Sequence, residues 1–218
     1  MGGRKRARAC VAAHPATPSG MRPDEMLATL DALDPLGDLP RTGWLLRGIS
    51  PCESIAAHTL QVALLTRMLV EACRAEGLTV DGELALTMAL LHDAPEARLG
   101  DVPMPVKTPA VDAALHEAER AIAHAILPAA LVPTWEASEA GESLEARLVK
   151  AADKIQMLHK LWVYEQQGRK HPLMETMWKN PANLRALDVA PVRAAYAAVY
   201  ARAGRPMPIA PVTSAPSP

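Results

Sequence analysis

Residues 90–107 read LLHDAPEARLGDVPMPVK, and they are the stretch on which the fold and the candidate site both depend. An apolar run at residues 84–91 leads directly into the adjacent pair His92 and Asp93. Neighbouring side chains on a regular helix point about 100° apart, so such a pair can chelate one ion only where the helix ends. Pro95 disfavours helical backbone at the residue before it, which predicts a helix end near Asp93. The pattern indicates the lip of a metal site, although a bare His-Asp dipeptide is more commonly a helix cap and a turn.

The composition of the 218 residues favours one all-α domain with short tails. Half of the residues are hydrophobic, Phe is absent, and the apolar residues are mainly Ala, Leu, Val and Met. That mixture suits closely packed helices better than a sheet. We expect a disordered basic arm at residues 1–20, the domain at residues 21–204, and a disordered Pro-rich tail at residues 205–218.

Charge and cysteine content narrow the possible functions. The net charge of −1 gives no basic field for a nucleic-acid polymer. No apolar run reaches the length needed to cross a bilayer, and the basic N-terminal stretch lacks the apolar segment of a signal peptide. Cys10, Cys52 and Cys73 have no metal-like spacing, which is typical of a reduced intracellular chain. We therefore predict a cytoplasmic protein with neither a membrane nor a nucleic-acid partner.

Apolar residues recur at helical spacing along most of the chain. This spacing predicts helices at residues 21–33, 54–75, 82–91, 111–127, 143–166 and 181–203. Pro191 is expected to break the last of them. The segments expected to be loops or irregular are residues 36–51, 131–141 and 171–180. No strand pattern is present.

Two helices carry further candidate metal ligands. His58 lies on the apolar face of its helix, three residues after Ile55. A single His on such a face is more often a packed core residue, but a second His and two carboxylates favour a ligand. Asp153 lies on a helix that is apolar nearly all round, so its carboxylate needs a charged partner or a metal. His116, His124 and His159 are expected to be surface or packing residues.

His58, His92, Asp93 and Asp153 together form a mixed nitrogen and oxygen ligand set. Such a set suits one divalent ion, with Mn, Co, Fe, Zn and Mg all possible. The absence of Cys ligands argues against a structural zinc site. An ion with open positions would lower the pKa of a water molecule and polarise a phosphoryl oxygen.

Other candidate site residues lie in two loops. Arg41 and Arg47 flank Trp44 between Pro and Gly residues, an arrangement that fits an anionic ligand with a ring. Trp44 could equally be a core anchor. Asp101 and Lys107 belong to a Pro-rich segment that would hold their side chains at fixed geometry, unless the prolines only route the chain.

The order of His58, His92-Asp93 and Asp153 resembles the HD-domain phosphohydrolases, whose signature is H…HD…D on a helical core. The chain is most similar to the bacterial 5′-deoxynucleotidases and their relatives. The stretches that carry this likeness, besides residues 90–107, are RTGWLLRGI (41–49), ESIAAHTLQVA (53–63) and KAADKIQML (150–158). The likeness spans about residues 26–170. It implies an HD-domain helical bundle with one divalent metal in its core.

The resemblance also implies roles for individual residues. The four ligand candidates would bind the metal. Glu96 would be the acid/base or water-positioning carboxylate, and Asp101 would assist it or hold the sugar hydroxyl. Arg41 would bind the phosphate, Trp44 would pack at the sugar and exclude a 2′-hydroxyl, and Lys107 would be a further phosphate or structural contact. The chain departs from the family pattern at Ala57, where members often carry an acidic residue, and at Gly43, where some carry the phosphate-binding Arg.

These observations predict a metal-dependent phosphomonoesterase that removes the 5′-phosphate from deoxynucleoside monophosphates, with a homodimer suggested by the resemblance. Another nucleotide substrate stays open, either a triphosphate or a cyclic nucleotide. Alarmone hydrolysis is disfavoured because Ala97, not Asp, follows Glu96. Di-iron oxygenase chemistry needs a further His between His58 and His92, and none is present. A non-catalytic nucleotide-binding module is the remaining alternative.

Overall fold

A computed structural model describes residues 20–103 and 108–208, and within them the chain forms ten α-helices. These are α1 (Pro23–Leu33), α2 (Thr42–Leu45), α3 (Ile55–Ala75), α4 (Gly82–Leu91), α5 (Glu96–Leu99), α6 (Pro109–Ile126), α7 (Val132–Ala140), α8 (Leu144–Gln166), α9 (Met174–Lys179) and α10 (Ala190–Arg202). Two short 3₁₀ segments, Asp34–Gly37 and Pro181–Asn183, join them. The described residues contain no β-strand, only an isolated antiparallel bridge between Pro40 and Ser54. The predicted all-α class is confirmed.

The three central helices begin at polar capping residues. Ser54, Asp81 and Ser143 precede α3, α4 and α8, and each side chain accepts hydrogen bonds from backbone N–H groups of the first turn at 3.0–3.2 Å. A cap of this kind stabilises a helix by about 1 kcal/mol. Gly141 separates α7 from α8 with a φ of 69°, a left-handed conformation that glycine adopts at low cost. Local sequence therefore fixes where the site-bearing helices start.

Helices α3, α4 and α8 pack against one another and form the centre of the fold. Helix α7 covers α8 and α4, α10 covers α8 and α3, and α1 packs on α6. Trp and Tyr fill the large core positions in this chain without Phe, namely Trp44, Trp178, Tyr164, Tyr196 and Tyr200. The arrangement brings together the first turn of α3, the end of α4 and the middle of α8.

Two segments expected to be irregular are helical, and those predictions were wrong. Residues 131–141 contain α7, which begins with Pro133 in its first turn and buries Val132, Trp135 and Ser138. Proline is compatible with a first helical turn, where its missing N–H has no helical partner to lose. Residues 171–180 contain α9, which buries three apolar residues at helical spacing, Met174, Met177 and Trp178.

The expected loop at residues 36–51 contains α2, a helix of four residues that carries Trp44. The last predicted helix also begins later than expected. The 3₁₀ segment Pro181–Asn183 and extended backbone precede it, and α10 starts at Ala190. Pro191 therefore lies in the first turn of α10 and starts that helix instead of breaking one.

Residues 1–19, 104–107 and 209–218 lie outside the described residues. They include most of the predicted arm, most of the predicted tail, and Lys107. Among the described helices, none combines the length and the apolar character needed to cross a membrane.

Candidate active site

The four predicted metal ligands meet where α3, α4 and α8 converge. His58 Nε2, from the first turn of α3, lies 3.3 Å from Asp153 Oδ1 on α8. It also lies 3.6 Å from Asp93 Oδ2, in the turn that follows α4. His92 Nε2, at the end of α4, lies 3.3 Å from the same Asp93 oxygen. One donor atom each of His58, His92 and Asp93 falls within 4.8 Å of the other two, a spacing that a single ion can bridge.

Several buried polar atoms at this point have no hydrogen-bond partner among the described residues. They are His58 Nε2, His92 Nε2, Asp153 Oδ1 and Glu96 Oε2. Buried polar atoms are normally paired, and an unpaired one costs about 1–3 kcal/mol. The three that belong to His58, His92 and Asp153 fit a bound divalent cation, which would satisfy lone pairs that no donor among the described residues reaches.

The hydrogen bonds of the two imidazoles leave the correct nitrogens free. His92 Nδ1 lies 2.7 Å from the carbonyl oxygen of Ala89, which can only accept, so Nδ1 carries the proton. His58 Nδ1 lies 2.6 Å from the amide oxygen of Gln156. When neutral, each ring therefore presents its Nε2 lone pair to the site, the arrangement typical of metal-bound histidine.

Arg41 places its guanidinium among the carboxylates of the site. Its Nη1 lies 3.0 Å from Asp101, 3.2 Å from Asp93 and 3.6 Å from Glu96, and its Nη2 lies 4.0 Å from Asp153. Burial alone would lower the pKa of Arg41, but these four carboxylates raise it above its ordinary value. The side chain is a permanent cation that lines the cavity beside the proposed metal ligands, where it can bind an anion.

Asp101 holds Arg41 and the turn that carries it. One carboxylate oxygen accepts from Arg41, and the other accepts from the Thr42 hydroxyl at 2.9 Å and the Gly43 N–H at 3.1 Å. The Thr42 hydroxyl also contacts the Asp101 carbonyl oxygen. The Pro-rich segment after α5 thus fixes the position of the residues just before and inside α2.

Glu96 is the first residue of α5, one turn beyond Asp93. Burial, followed by the charges of Asp93 and Asp101, raises the pKa of Glu96 to about 10, against a lowering effect of Arg41. Burial would lower the pKa of His92, but the Asp93 carboxylate raises it to about 9. The site therefore contains a carboxyl that can hold a proton at neutral pH and an imidazole that binds one tightly.

Comparison with known proteins assigns this chain to a protein family. The family model of the HD domain matches residues 33–185. The chain belongs to the HD domain family. The predicted likeness to 5′-deoxynucleotidases is confirmed by two relatives. The 5′-deoxynucleotidase YGK1 of Saccharomyces cerevisiae is 30% identical over 161 residues, which cover 68% of this chain and 71% of the yeast protein. The 5′-deoxynucleotidase HDDC2 of Danio rerio is 30% identical over 163 residues, which cover 70% of this chain and 76% of the fish protein.

Solved structures of other proteins share the fold. The PH0347 protein of Pyrococcus horikoshii superimposes with a TM-score of 0.69 at 28% identity, covering 82% of this chain and 98% of the archaeal chain. The HD phosphohydrolase DatZ of cyanophage S-2L, solved with dA and one catalytic Zn²⁺ ion bound, has a TM-score of 0.56 at 26% identity. That match covers 80% of this chain and 95% of the phage chain.

A cavity of about 570 Å³ opens onto the metal-ligand candidates of this HD domain. Its lining includes Arg41, Trp44, Arg47, Met157 and Asn180. Its volume lies within the range of small-molecule sites, so a nucleotide fits its scale. A smaller cavity of about 300 Å³ lies beside the same centre and includes residues of α6 and α7 in its wall.

Trp44 is both a core residue and part of the cavity wall. Only 3% of it is exposed, and its ring meets Tyr164 edge to face at 5.2 Å. The indole N–H donates to Glu53 Oε1 at 2.9 Å. The polar atom of the ring is thus already paired, and what Trp44 offers the cavity is apolar surface.

Sequence reasoning missed some of the polar neighbours of the site. Gln156 lies one helical turn after Asp153 on α8, and this i, i+3 spacing was the available signal. His116 and His124 are exposed as expected, but both have carboxylate partners, Glu119 at 3.4 Å and Glu136 at 2.9 Å. Glu136 was missed because it lies on α7, which was expected to be a loop, whereas Glu119 lies on α6 three residues after His116. His159 is partly buried and packs on Trp162.

Proposed function

We propose that this HD domain protein is a metal-dependent phosphohydrolase that removes the 5′-phosphate from deoxynucleoside monophosphates. One observation carries the proposal. Buried atoms of His58, His92 and Asp153 that have no hydrogen-bond partner among residues 20–103 and 108–208 converge beside the cationic Arg41. Such a centre suits a metal next to a phosphate. The relatives named 5′-deoxynucleotidases support the substrate class.

We assign His58, His92, Asp93 and Asp153 to one divalent metal ion, with Mn, Co, Mg, Zn and Fe as candidates. The catalytic Zn²⁺ described for the phage relative supports zinc as one of them. When bound, the ion supplies charge stabilisation to the phosphoryl oxygens and a lower pKa to the attacking water. The ligands come from three packed helices, and this rigidity keeps the donor atoms in place.

The protein side chains supply the rest of the reaction. Arg41 binds the phosphate, and Asp101 keeps Arg41 and its turn in position. Water attacks phosphorus, the bond from phosphorus to the 5′-oxygen breaks, and the leaving oxygen must receive a proton. Glu96 is the group placed to donate it, because its carboxyl lies 3.6 Å from Arg41 and holds a proton at neutral pH. The products are the deoxynucleoside and inorganic phosphate.

We assign the sugar contact to Trp44. Its apolar surface lines the larger cavity, and its only polar atom is occupied by Glu53. A ribose 2′-hydroxyl against this surface would lose its hydrogen bond to water without gaining another, which favours deoxyribose. Lys107, outside the described residues, stays a prediction as a further phosphate or structural contact.

We infer that the catalytic domain spans residues 21–204, flanked by the arm at residues 1–20 and the tail at residues 205–218, and that it works in the cytoplasm as a homodimer. The family match lies within those domain bounds. Exposed apolar side chains that recur every four residues along α3, Leu60, Leu64 and Met68, offer a surface for association. A monomeric mass by light scattering would contradict the dimer.

The deciding experiment is phosphate release from paired deoxynucleoside and ribonucleoside monophosphates after metal removal, with single metals then restored. We expect release from the deoxynucleotides, restored by metal and lost in His92→Ala and Asp93→Ala. Full activity in either variant would overturn the proposal. Release only from triphosphates or cyclic nucleotides would assign another substrate to the same site, and binding without turnover would indicate a non-catalytic module.

A further inference from the structure

Gln156 lies directly behind one of the proposed metal ligands. It is on α8, three residues after Asp153, and only 3% of it is exposed. Its amide oxygen lies 2.6 Å from His58 Nδ1, on the side of the ring away from the site. Helix α8 therefore carries both the proposed ligand Asp153 and Gln156, which contacts the second proposed ligand His58.

The orientation of the Gln156 amide follows from its other partners. Its Nε2 lies 3.1 Å from Glu53 Oε2 and 3.1 Å from Gln61 Oε1. Carboxylate and amide oxygens only accept, so the Gln156 NH₂ group must face them. Lys160 lies 3.4 Å from the same Glu53 oxygen and balances its charge. The amide oxygen of Gln156 is therefore left to face His58.

This orientation decides which nitrogen of His58 is free. Since the Gln156 oxygen only accepts, the proton must be on His58 Nδ1, and Nε2 keeps its lone pair. Nε2 is buried, lies 3.3 Å from Asp153 Oδ1, and has no hydrogen-bond partner in the part of the chain that the structure describes. With the amide reversed, an NH₂ group would face Nδ1, the proton would move to Nε2, and the ligand would be lost.

We propose that Gln156, held by Glu53, is a positioning residue that fixes His58 in the Nδ1–H tautomer and so keeps its Nε2 available to the metal. The inference rests on the metal site of the proposed function. The two proposed imidazole ligands are oriented by different kinds of group. His92 takes its orientation from the backbone carbonyl of Ala89, which no substitution removes, whereas His58 depends on a side chain. Metal affinity is therefore sensitive to substitution at Gln156.

The first test is Zn²⁺ affinity measured by competition with a chromophoric chelator. We expect Gln156→Leu to bind Zn²⁺ about 10–100-fold more weakly than the parent chain, the usual cost of losing such a support. Gln166→Leu, an exposed position on the same helix, is the matched control and should bind like the parent. A folded Gln156→Leu with parental affinity would overturn the inference.

A second measurement uses the parent chain alone and so does not depend on how a variant folds. Long-range ¹H–¹⁵N NMR spectra of the zinc-loaded protein, labelled with ¹⁵N at histidine, report which ring nitrogen carries the proton. We expect the His58 proton on Nδ1, and a proton on Nε2 would overturn the inference. Phosphate release is measured on the same samples. A parent chain that binds zinc through His58 but hydrolyses no nucleotide would contradict the proposed function and support this inference.

Discussion

The guanidinium of Arg41 donates to the carboxylate of Asp101 at 3.0 Å, and the same carboxylate also binds the Thr42 hydroxyl and the Gly43 N–H. One side chain therefore sets the position of a cation and of the short turn that carries it. The two residues are 60 positions apart in the chain, and the contact brings the segment after α5 to the start of α2. We propose that Asp101 acts on the reaction through Arg41.

We predict that Asp101→Asn lowers kcat/KM for the deoxynucleotide by about 10–100-fold, the range typical of lost supporting contacts. An amide cannot accept from all three donors, so Arg41 loses its fixed position. Because Arg41 binds the phosphate before and during the reaction, KM should rise more than kcat falls. Asp188→Asn, a surface carboxylate that pairs with Arg147, is the control and should leave both constants unchanged. A fall in kcat alone would contradict the positioning role.

Metal binding should stabilise the folded chain. The proposed ligands lie on α3 and α8 and in the turn after α4, so an ion there joins elements that unfolding separates. At a free metal concentration about 100 times Kd, the free energy of unfolding should rise by about 2.7 kcal/mol. For a chain of this size, such an increase in the free energy of unfolding corresponds to a rise of about 5–10 °C in Tm. Differential scanning fluorimetry with and without chelator measures the change.

The controls for that measurement are two histidine variants. His58→Ala should lose the metal-dependent shift in Tm, because it removes a proposed ligand. His124→Ala should keep it, because that imidazole is exposed and pairs with Glu136. An equal metal-dependent rise in Tm in both variants would show that the ion binds at another site.

The pKa of His92 predicts proton release on metal binding. The Asp93 carboxylate raises this pKa to about 9 against the effect of burial, so the metal-free imidazole is protonated at pH 7.5. A metal binds only the neutral ring. Binding should therefore release about one proton, and affinity should fall by about tenfold for each pH unit below 9. Titration calorimetry at pH 7.5 in two buffers of different ionisation enthalpy counts the proton, and identical heats would refute the prediction.

Glu96→Gln should separate catalysis from metal binding. We expect kcat to fall by about 10²–10⁴-fold, the usual contribution of a general acid. Zn²⁺ affinity should change little, since Glu96 is not among the proposed ligands. The parent chain needs the protonated carboxyl, so its rate should fall as pH rises through a pKa that burial and Asp93 have raised. That alkaline decline should be absent from the residual activity of Glu96→Gln, and Glu136→Gln serves as the exposed control.

The proposed metal ligands could be picked out from the sequence because local signals indicate the helices that carry them. Ser54 and Asp81 mark the starts of α3 and α4, and Pro95 marks the turn after His92. The packing of α3, α4 and α8 then brings His58 and His92 together. Each of these signals involves residues that are close together in the sequence, so it can be recognised before the fold is known.

The parts that were missed depend on tertiary contacts. Helix α7 has little apolar periodicity and is helical because Val132 and Trp135 are buried. The contact between Gln156 and His58 joins residues 98 positions apart, and its meaning depends on the partners Glu53 and Gln61. A sequence pattern indicates which side chains share a helix face, but not which hydrogen-bond acceptor a histidine meets.

Two substitutions of Trp44 should distinguish its effect on the stability of the fold from its effect on selectivity for deoxyribose. Trp44→Phe keeps an aromatic wall in the cavity but removes the N–H that binds Glu53, a carboxylate that is almost fully buried. The loss should cost about 1–3 kcal/mol of unfolding free energy. Selectivity for deoxynucleotides should persist, because the apolar surface remains. Trp44→Ala removes that surface and should narrow the kcat/KM ratio of dNMP to NMP by at least about tenfold. If Trp44→Ala kept the parental ratio, sugar choice would have to lie elsewhere in the cavity.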